Sequence, residues 1–130
     1  MNAETQPTVA VLGASQRREK FGNKSVRAHR HAGWKVIPVN LDARVQEVEG
    51  LASVQRLGQV DEALQRITLY LPPPVVEELL EEIAAAGAEE VWFNPGTHTP
   101  PLLAKARALG VNAVVGCSIV DLGLSPSQFP

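Results

Sequence analysis

The sequence predicts an α/β domain of the Rossmann-like, doubly wound kind, with a mostly parallel sheet of five or six strands and helices on both faces. Three observations predict it. The segments HAGWKVIPV, AAGAEEVWF and ALGVNAVVG each read as a helix ending at glycine with a strand starting at once, and such αβ joints imply alternating elements and parallel pairing. Thr8–Leu12 is a short apolar run bounded by glycine, and Ile67–Leu71 is a second strand-like run cut off by prolines; strands buried on both faces look like this. The first strand leads into Gly13-Ala14-Ser15, a polar and basic loop, and Gly22-Asn23 at the mouth of a helix. Small residues there let backbone approach a ligand, and the free N–H groups of the following helix suit an anion. The crossovers are expected to be right-handed.

A chain of 130 residues, 45% hydrophobic and 20% charged, has room for one core and not two. Residues 1–130 are therefore read as one domain, with 1–7 flexible and 121–130 a tail. A net charge of −2 supplies no global basic field, so nucleic acid is not an expected partner. The longest apolar stretches are strand-sized and Met1 to Pro7 holds no apolar signal core, so no membrane association is expected and the cytoplasm is the expected compartment. A single cysteine, Cys117, excludes an internal disulfide framework and a cysteine zinc cluster. His29, His31 and His98 form no metal-ligand pattern.

The first helix is expected over Phe21–Ala32, with Phe21, Val26, Ala28 and Ala32 on its buried side and Gly33 ending it. His29 and His31 lie near its end, where cations suit the dipole. Trp34–Asn40 is the second strand, and Pro38, which cannot donate to a ladder, places the end of ordered pairing close to Asn40. Residues 41–60 are weakly patterned; a loop, room for a short helix and an edge strand around Val48–Leu51 are expected. Pro72-Pro73-Pro74 ends the next strand, Ile67–Leu71, and starts a helix with Val75, Val76, Leu79, Leu80 and Ile83 on one stripe. Glu77, Glu78, Glu81 and Glu82 fall opposite that stripe, the pattern of a solvated face and not of paired acid–base carboxylates. Glu90–Phe93 is a strand, and Thr99 caps a helix with Pro100 at its first position and Leu102, Leu103, Ala106 and Leu109 buried. Val111–Val115 is the last strand and Gly116-Cys117-Ser118 its exit loop. The tail holds one more helical turn, which Ser125-Pro126 stops. Trp34 and Trp92 are read as core.

In such a sheet ligands sit beyond the carboxyl ends of the strands, where strand order reverses. Those ends are Gly13-Ala14-Ser15, Asn40, Pro72-Pro73, Asn94-Pro95-Gly96-Thr97 and Gly116-Cys117-Ser118. A dinucleotide fingerprint needs glycine at three fixed places; Ser15 and Arg18 occupy the second and third, so the redox motif is absent. Arg17, Arg18, Lys20 and Lys24 make the first loop basic. Plain NAD asks for a carboxylate at the end of the second strand, and this chain has Asn40 there, with Asp42 two residues on. A neutral amide beside basic residues suits a nucleotide with an extra ribose phosphate, although taken alone Asn40 reads as a turn cap.

The runs GAS, KFGN, HAGWKVIPVN, YLPP and VWFNPG follow in order between about Val9 and Ser118. In this the chain resembles the small stand-alone CoA-binding domain proteins, relatives of the nucleotide-like domain of the succinyl-CoA synthetase α subunit. The resemblance implies coenzyme A or acyl-CoA held across the rim. The matching positions are Gly13, Ala14, Ser15, Lys20, Phe21, Gly22, Asn23 and Lys24 in the first loop, Val39 and Asn40, Leu71, Pro72 and Pro73, and Asn94 and Gly96. It implies pyrophosphate on the N–H groups around Ala14, Ser15 and the start of the first helix, with Lys20, Lys24 or the arginines balancing charge. Adenosine would be flanked by Val39, Asn40 and Leu71–Pro73, and pantetheine would lie along Asn94 and Gly96. The chain departs from the family at Asn94-Pro95, where Gln before a small residue is common, and at Gly116-Cys117-Ser118, where an Asp-Arg-Cys run is common. No inherited role is therefore carried to Cys117, which would be placed for a mixed disulfide with the CoA thiol only if it faced the rim.

No nucleophile–base pair or metal cluster can be placed in this sequence, so no catalytic residue and no metal ligand is assigned. The expected function is a non-catalytic CoA-binding module, a carrier, sensor or subunit of an acyl-CoA system, with a protein partner or self-pairing left open. The rival is a small NADP-dependent or nucleotide-processing enzyme on the same fold, since fold alone does not decide function.

Overall fold

The computed structural model describes residues 6–130, so the flexibility expected of residues 1–7 lies, for the first five, outside the described residues. Gln6 and Pro7 bond to the joint before the second strand: Gln6 Nε2 donates to Gly33 O at 3.0 Å and Lys35 N–H to Pro7 O at 2.8 Å. Among the described residues the strands are β1 (Thr8–Leu12), β2 (Lys35–Val39), the short pair β3 (Glu47–Val48) and β4 (Leu51–Ala52), β5 (Arg66–Leu69), β6 (Glu90–Phe93) and β7 (Ala113–Val115). Five of them form one sheet in the order β2-β1-β5-β6-β7, parallel throughout. Its register aligns Leu12 with Val39 and Leu69, Leu69 with Phe93, and Phe93 with Val115, so the five strands end level with one another.

Helix α1 (Phe21–His31) links β1 to β2, α2 (Pro73–Glu78) and α3 (Leu80–Ala85) link β5 to β6, α4 (Pro100–Ala108) links β6 to β7, and α5 (Ser118–Asp121) follows β7. Successive residues of a strand point to opposite faces. Val9 and Val11 accordingly pack with Val26 of α1, while Ala10, Leu12, Ile67, Leu69 and Phe93 pack with Val76, Leu80 and Ile83 of α2 and α3 and Leu102 of α4. The sheet is thus covered on both faces. From β1 the chain moves outward to β2, then returns to the other side of β1 at β5, so the order reverses between β1 and β5.

Several expectations are corrected. Val26 and Ala28 are buried as expected, but the buried stripe of α1 also takes in Gly22, Ser25 and His29, while Phe21 is 59% exposed and Ala32 is exposed. Small and polar residues make that stripe, so apolar content did not reveal it. His29 is fully buried and is held down to about pKa 4 by burial, so it is neutral near pH 7 and the cation in the last turn is Arg30. Helix α2 bends into α3 at Leu79, whose N–H is shared between Val75 O at 3.2 Å and Val76 O at 3.1 Å. On α4, Leu109 is 47% exposed and only Leu102 and Ala106 are fully buried.

The strand expected around Val48–Leu51 is a tight hairpin, β3 and β4, turning at Glu49 (φ 52°) and Gly50 (φ 78°), the left-handed pair a two-residue hairpin needs. Pro38 lies inside an edge strand, as its missing donor requires; its carbonyl accepts from Val54 N–H at 3.0 Å. Ser125-Pro126 starts a helical turn instead of stopping one. Ser127 N–H donates to Ser125 Oγ at 3.3 Å and Ser125 N–H to Gln128 Oε1 at 2.7 Å, a reciprocal capping box with proline at the first position.

On the α1 face of β5, Arg66 sits between two indoles, its guanidinium carbon 4.6 Å from the Trp34 ring and 4.8 Å from the Trp92 ring. It pairs at 2.6 Å with both Glu90 and Asp121 and reaches His29 Nε2 at 3.2 Å. This group covers the α1 face of β5 and β6, from Trp34 ahead of β2 to Trp92 near the carboxyl end of β6.

Candidate functional site

Beyond the carboxyl ends of all five strands lies one cleft of about 730 Å³. Its floor is set by close approach at two glycines. Gly13, at φ 98°, turns the chain off β1, and a Cβ there would stand 2.5 Å from Tyr70 O. A Cβ on Gly22 would run into Gly13 O. The first turn of α1 therefore rests directly on the loop after β1, an approach that only glycine permits. Among the described residues, the N–H groups of Ser15, Phe21 and Gly22 have no protein acceptor, and all three residues line the cleft. A helix N-terminus presenting free N–H groups next to a glycine-lined hollow fits an anionic diphosphate.

Of the predicted positions, Gly13, Ala14, Ser15, Lys20, Phe21, Gly22, Asn40, Leu71, Pro72, Asn94 and Gly96 come together in the cleft wall. The other four do not line it. Val39 is fully buried in the core, because the last residue of β2 points into the sheet packing. Pro73 begins α2 behind Pro72. Lys24 lies one turn along α1, where its ammonium is 3.5 Å from Pro126 O. Asn23 is buried behind the loop, donating to Ser15 O at 2.8 Å and accepting from Arg27 Nε at 2.7 Å.

Two expected donors are already engaged. Ala14 N–H donates to Val39 O at 3.2 Å. Asn40 behaves as the turn cap that it resembles alone: its Nδ2 donates to Ala14 O at 2.7 Å and its Oδ1 accepts from Asp42 N–H at 2.8 Å. Asn94 is likewise committed, donating to Thr68 Oγ1 at 2.7 Å and Leu69 O at 2.9 Å and accepting from Ser118 N–H at 2.9 Å. Ser118 Oγ then bonds Thr68 Oγ1 at 2.7 Å and Tyr70 OH at 3.0 Å. These side chains fix the ends of β5 and β6 against α5 rather than reaching into the cleft. Burial raises the Tyr70 phenol above its ordinary pKa, so it stays protonated at neutral pH.

Charge at the cleft is narrower than the four basic residues suggested. Arg17 pairs with Glu19 at 2.8 Å and Arg18 with Glu49 at 3.4 Å. Lys20, the residue before α1, lines the cleft without a carboxylate partner among the described residues. Across the mouth, Asp42 is hydrogen-bonded by Arg44, which holds its carboxyl down to about pKa 2.

Leu41, Asp42, Tyr70, Pro95, Thr97, Cys117 and Ile119 also line the cleft and were not among the assigned positions. Most follow a strand tip by one or two residues, so the signal was the end of the strand. Tyr70 was hidden because Ile67–Leu71 read as strand throughout, whereas β5 stops at Leu69. Cys117 does face the cleft and is partly buried. No group of three or more His, Cys, Asp or Glu among the described residues is arranged to hold a metal, and no helix is long and apolar enough to cross a membrane.

A sequence profile described as a CoA binding domain matches residues 7–123. Of curated proteins, the uncharacterized protein YneT of Bacillus subtilis (strain 168) is 25% identical over 88 residues, 68% of this chain; the chain spans only 64% of that relative's length. Of solved structures, the protein titled cell-free ID.343 from Thermus thermophilus superposes with a TM-score of 0.81 at 27% identity, covering 91% of this chain and 89% of that one. The dinucleotide-forming acetyl-coenzyme A synthetase 1 of Ca. Korarchaeum cryptofilum, solved with phosphate and ADP, superposes with a TM-score of 0.71 at 21% identity over 82% of this chain and 25% of that chain. At that identity the likeness concerns the fold alone.

Proposed function

Because the chain belongs to the CoA-binding domain family, we propose that its cleft binds coenzyme A or an acyl-CoA as a small non-catalytic module, a carrier, sensor or subunit of an acyl-CoA system. The observation that carries this reading is the convergence, at the point of strand reversal, of three N–H groups (Ser15, Phe21, Gly22) and the Lys20 ammonium, all without a protein partner among the described residues, on one hollow. In this reading those groups hold the pyrophosphate. Leu41 and Asp42 on one side and Leu71 and Pro72 on the other flank the adenosine, the proline offering a flat surface with no N–H to satisfy. The pantetheine arm runs past Pro95, Gly96 and Thr97 toward Cys117. The side chains of Asn40 and Asn94 act by shaping the cleft, because their hydrogen bonds are spent within the protein.

The test is the unfolding midpoint of purified protein with CoA, acetyl-CoA, NADP and NAD in turn. A ligand of the native state stabilises it by mass action, about 2.7 kcal/mol at a hundredfold excess over Kd. A rise with CoA or acetyl-CoA and none with NAD is the expected result. A rise with NADP and none with either CoA form replaces this reading with a nucleotide-processing one.

A further inference from the structure

Arg27 is a charged side chain in an unusual place. It is only 8% exposed, and its hydrogen bonds run to Asn23 Oδ1 at 2.7 Å, Arg18 O at 2.8 Å, Phe129 O at 3.0 Å and Pro130 O at 3.1 Å, with no side-chain carboxylate among them. A buried guanidinium needs its donors filled, and here the last two residues fill two of them from about a hundred residues away in the chain. Asn23, oriented by Arg27, holds Ser15 O at 2.8 Å. The pair therefore grips the loop after β1 at both ends, by the carbonyls of Ser15 and Arg18, from behind. A carbonyl oxygen directed at Arg27 or Asn23 cannot face a bound anion.

The geometry points to Arg27, held by the C-terminal segment Ser125–Pro130, as the positioning residue for the phosphate-facing loop, so that docking of this segment and occupancy of the cleft are coupled. This rests on the ligand reading above. The segment is built to dock: Ser125 and Gln128 cap its turn, the Phe129 ring meets the His31 ring edge-on at 6.0 Å, and Lys24 reaches Pro126 O at 3.5 Å. Coupling of this kind is reciprocal. If the docked segment improves ligand affinity, ligand must in turn tighten the segment.

The experiment compares the full chain with a variant ending after Gln128 and with Arg27→Lys, which keeps the charge but loses the fork that spans these oxygens. Amide hydrogen exchange without ligand reads the loop through Arg17 and Lys20, whose N–H groups bond within it. Calorimetry at two salt concentrations reads CoA affinity and its salt slope. Expected are faster exchange at both amides in both variants and a CoA Kd weakened about tenfold, the value of roughly one net hydrogen bond, with the salt slope unchanged. In the full chain CoA should slow exchange at Gln128 and Phe129. Unchanged loop exchange in the variants overturns the inference, and so does an altered salt slope, which would make Arg27 a phosphate contact. If the shortened chain does not fold, Arg27→Lys decides. Faster loop exchange in the variants of a chain that binds no CoA would refute the ligand reading and leave the positioning role standing.

Discussion

Lowering the pH from about 7.5 to about 5 should destabilise this fold through one imidazole. His29 is fully buried. Its Nδ1–H donates to Ser25 O at 2.9 Å and its Nε2 accepts from Arg66 at 3.2 Å, the pairing of a neutral ring. Burial first, and the neighbouring Arg66 charge second among the lowering causes, bring its pKa from 6.5 to about 4. The folded state therefore binds this proton more weakly than the unfolded chain. Stability is fully present above about 6.5 and is lost progressively as the pH falls toward about 4. A tenfold difference in proton affinity is worth about 1.4 kcal/mol. At about pH 5 the unfolded imidazole is charged and the folded one is mostly not, which removes about 2 kcal/mol, a large share of a typical domain's stability. The carboxyls held low, Glu19, Asp42 and Glu82, make their losses mainly below this window. Urea unfolding followed by far-ultraviolet circular dichroism, at both pH values, on the parent chain and on His29→Gln, isolates the histidine as the difference between two pH dependences. Equal losses in the two proteins would refute the reasoning, since the proton would then be taken up elsewhere.

Three other outcomes follow from the geometry. Gly22→Ala places a methyl against Gly13 O and should lower stability by about 1–3 kcal/mol and weaken CoA binding, measured by thermal denaturation and calorimetry; a silent substitution would mean that α1 does not rest on the loop. Lys20→Ala should raise the CoA Kd several-fold at low salt and flatten its salt dependence, whereas Arg18→Ala, which loses a residue already paired with Glu49, should change it little. Arg66→Met removes a buried guanidinium from two part-exposed carboxylates, Glu90 and Asp121, which water can re-solvate, and should cost about 1 kcal/mol, read by urea unfolding; a loss of several kcal/mol would mean that the two carboxylates are more deeply buried than their exposure indicates.

The alternation of strand and helix was legible because each αβ joint carries its own glycine. Once the parallel sheet was placed, the rim followed from the strand tips. Side-chain roles were less legible than positions. Asn40 and Asn94 stand in the cleft wall as expected, but an amide at a strand tip can bond a ligand or the next turn, and sequence does not separate the two. Ala14 offers its N–H on paper and loses it to Val39 O, a contact set by register. Residues 41–60 resisted because β3 and β4 are too short for any periodicity to form. Arg66 was passed over because it precedes the apolar run, and only the fold brings Trp34, Trp92, Glu90 and Asp121 to it. The Ser125-Pro126-Ser127-Gln128 capping box was written in the residues, and the proline was read as a stop when it was a start.

The placement of both tryptophans on the Arg66 guanidinium has a practical side. The two indoles of this chain crowd one cation, Trp34 just ahead of β2 and Trp92 next to last in β6, two residues short of Asn94 in the cleft wall. Their ultraviolet emission is thus an optical gauge of whether the group around Arg66 stays assembled, and Trp92, packed against Gly116 beside Cys117, stands directly behind the wall that a nucleotide would touch. Dye-free spectroscopy can count unfolded molecules, and a change of signal with titrated ligand in the folded protein would report on Trp92 rather than Trp34.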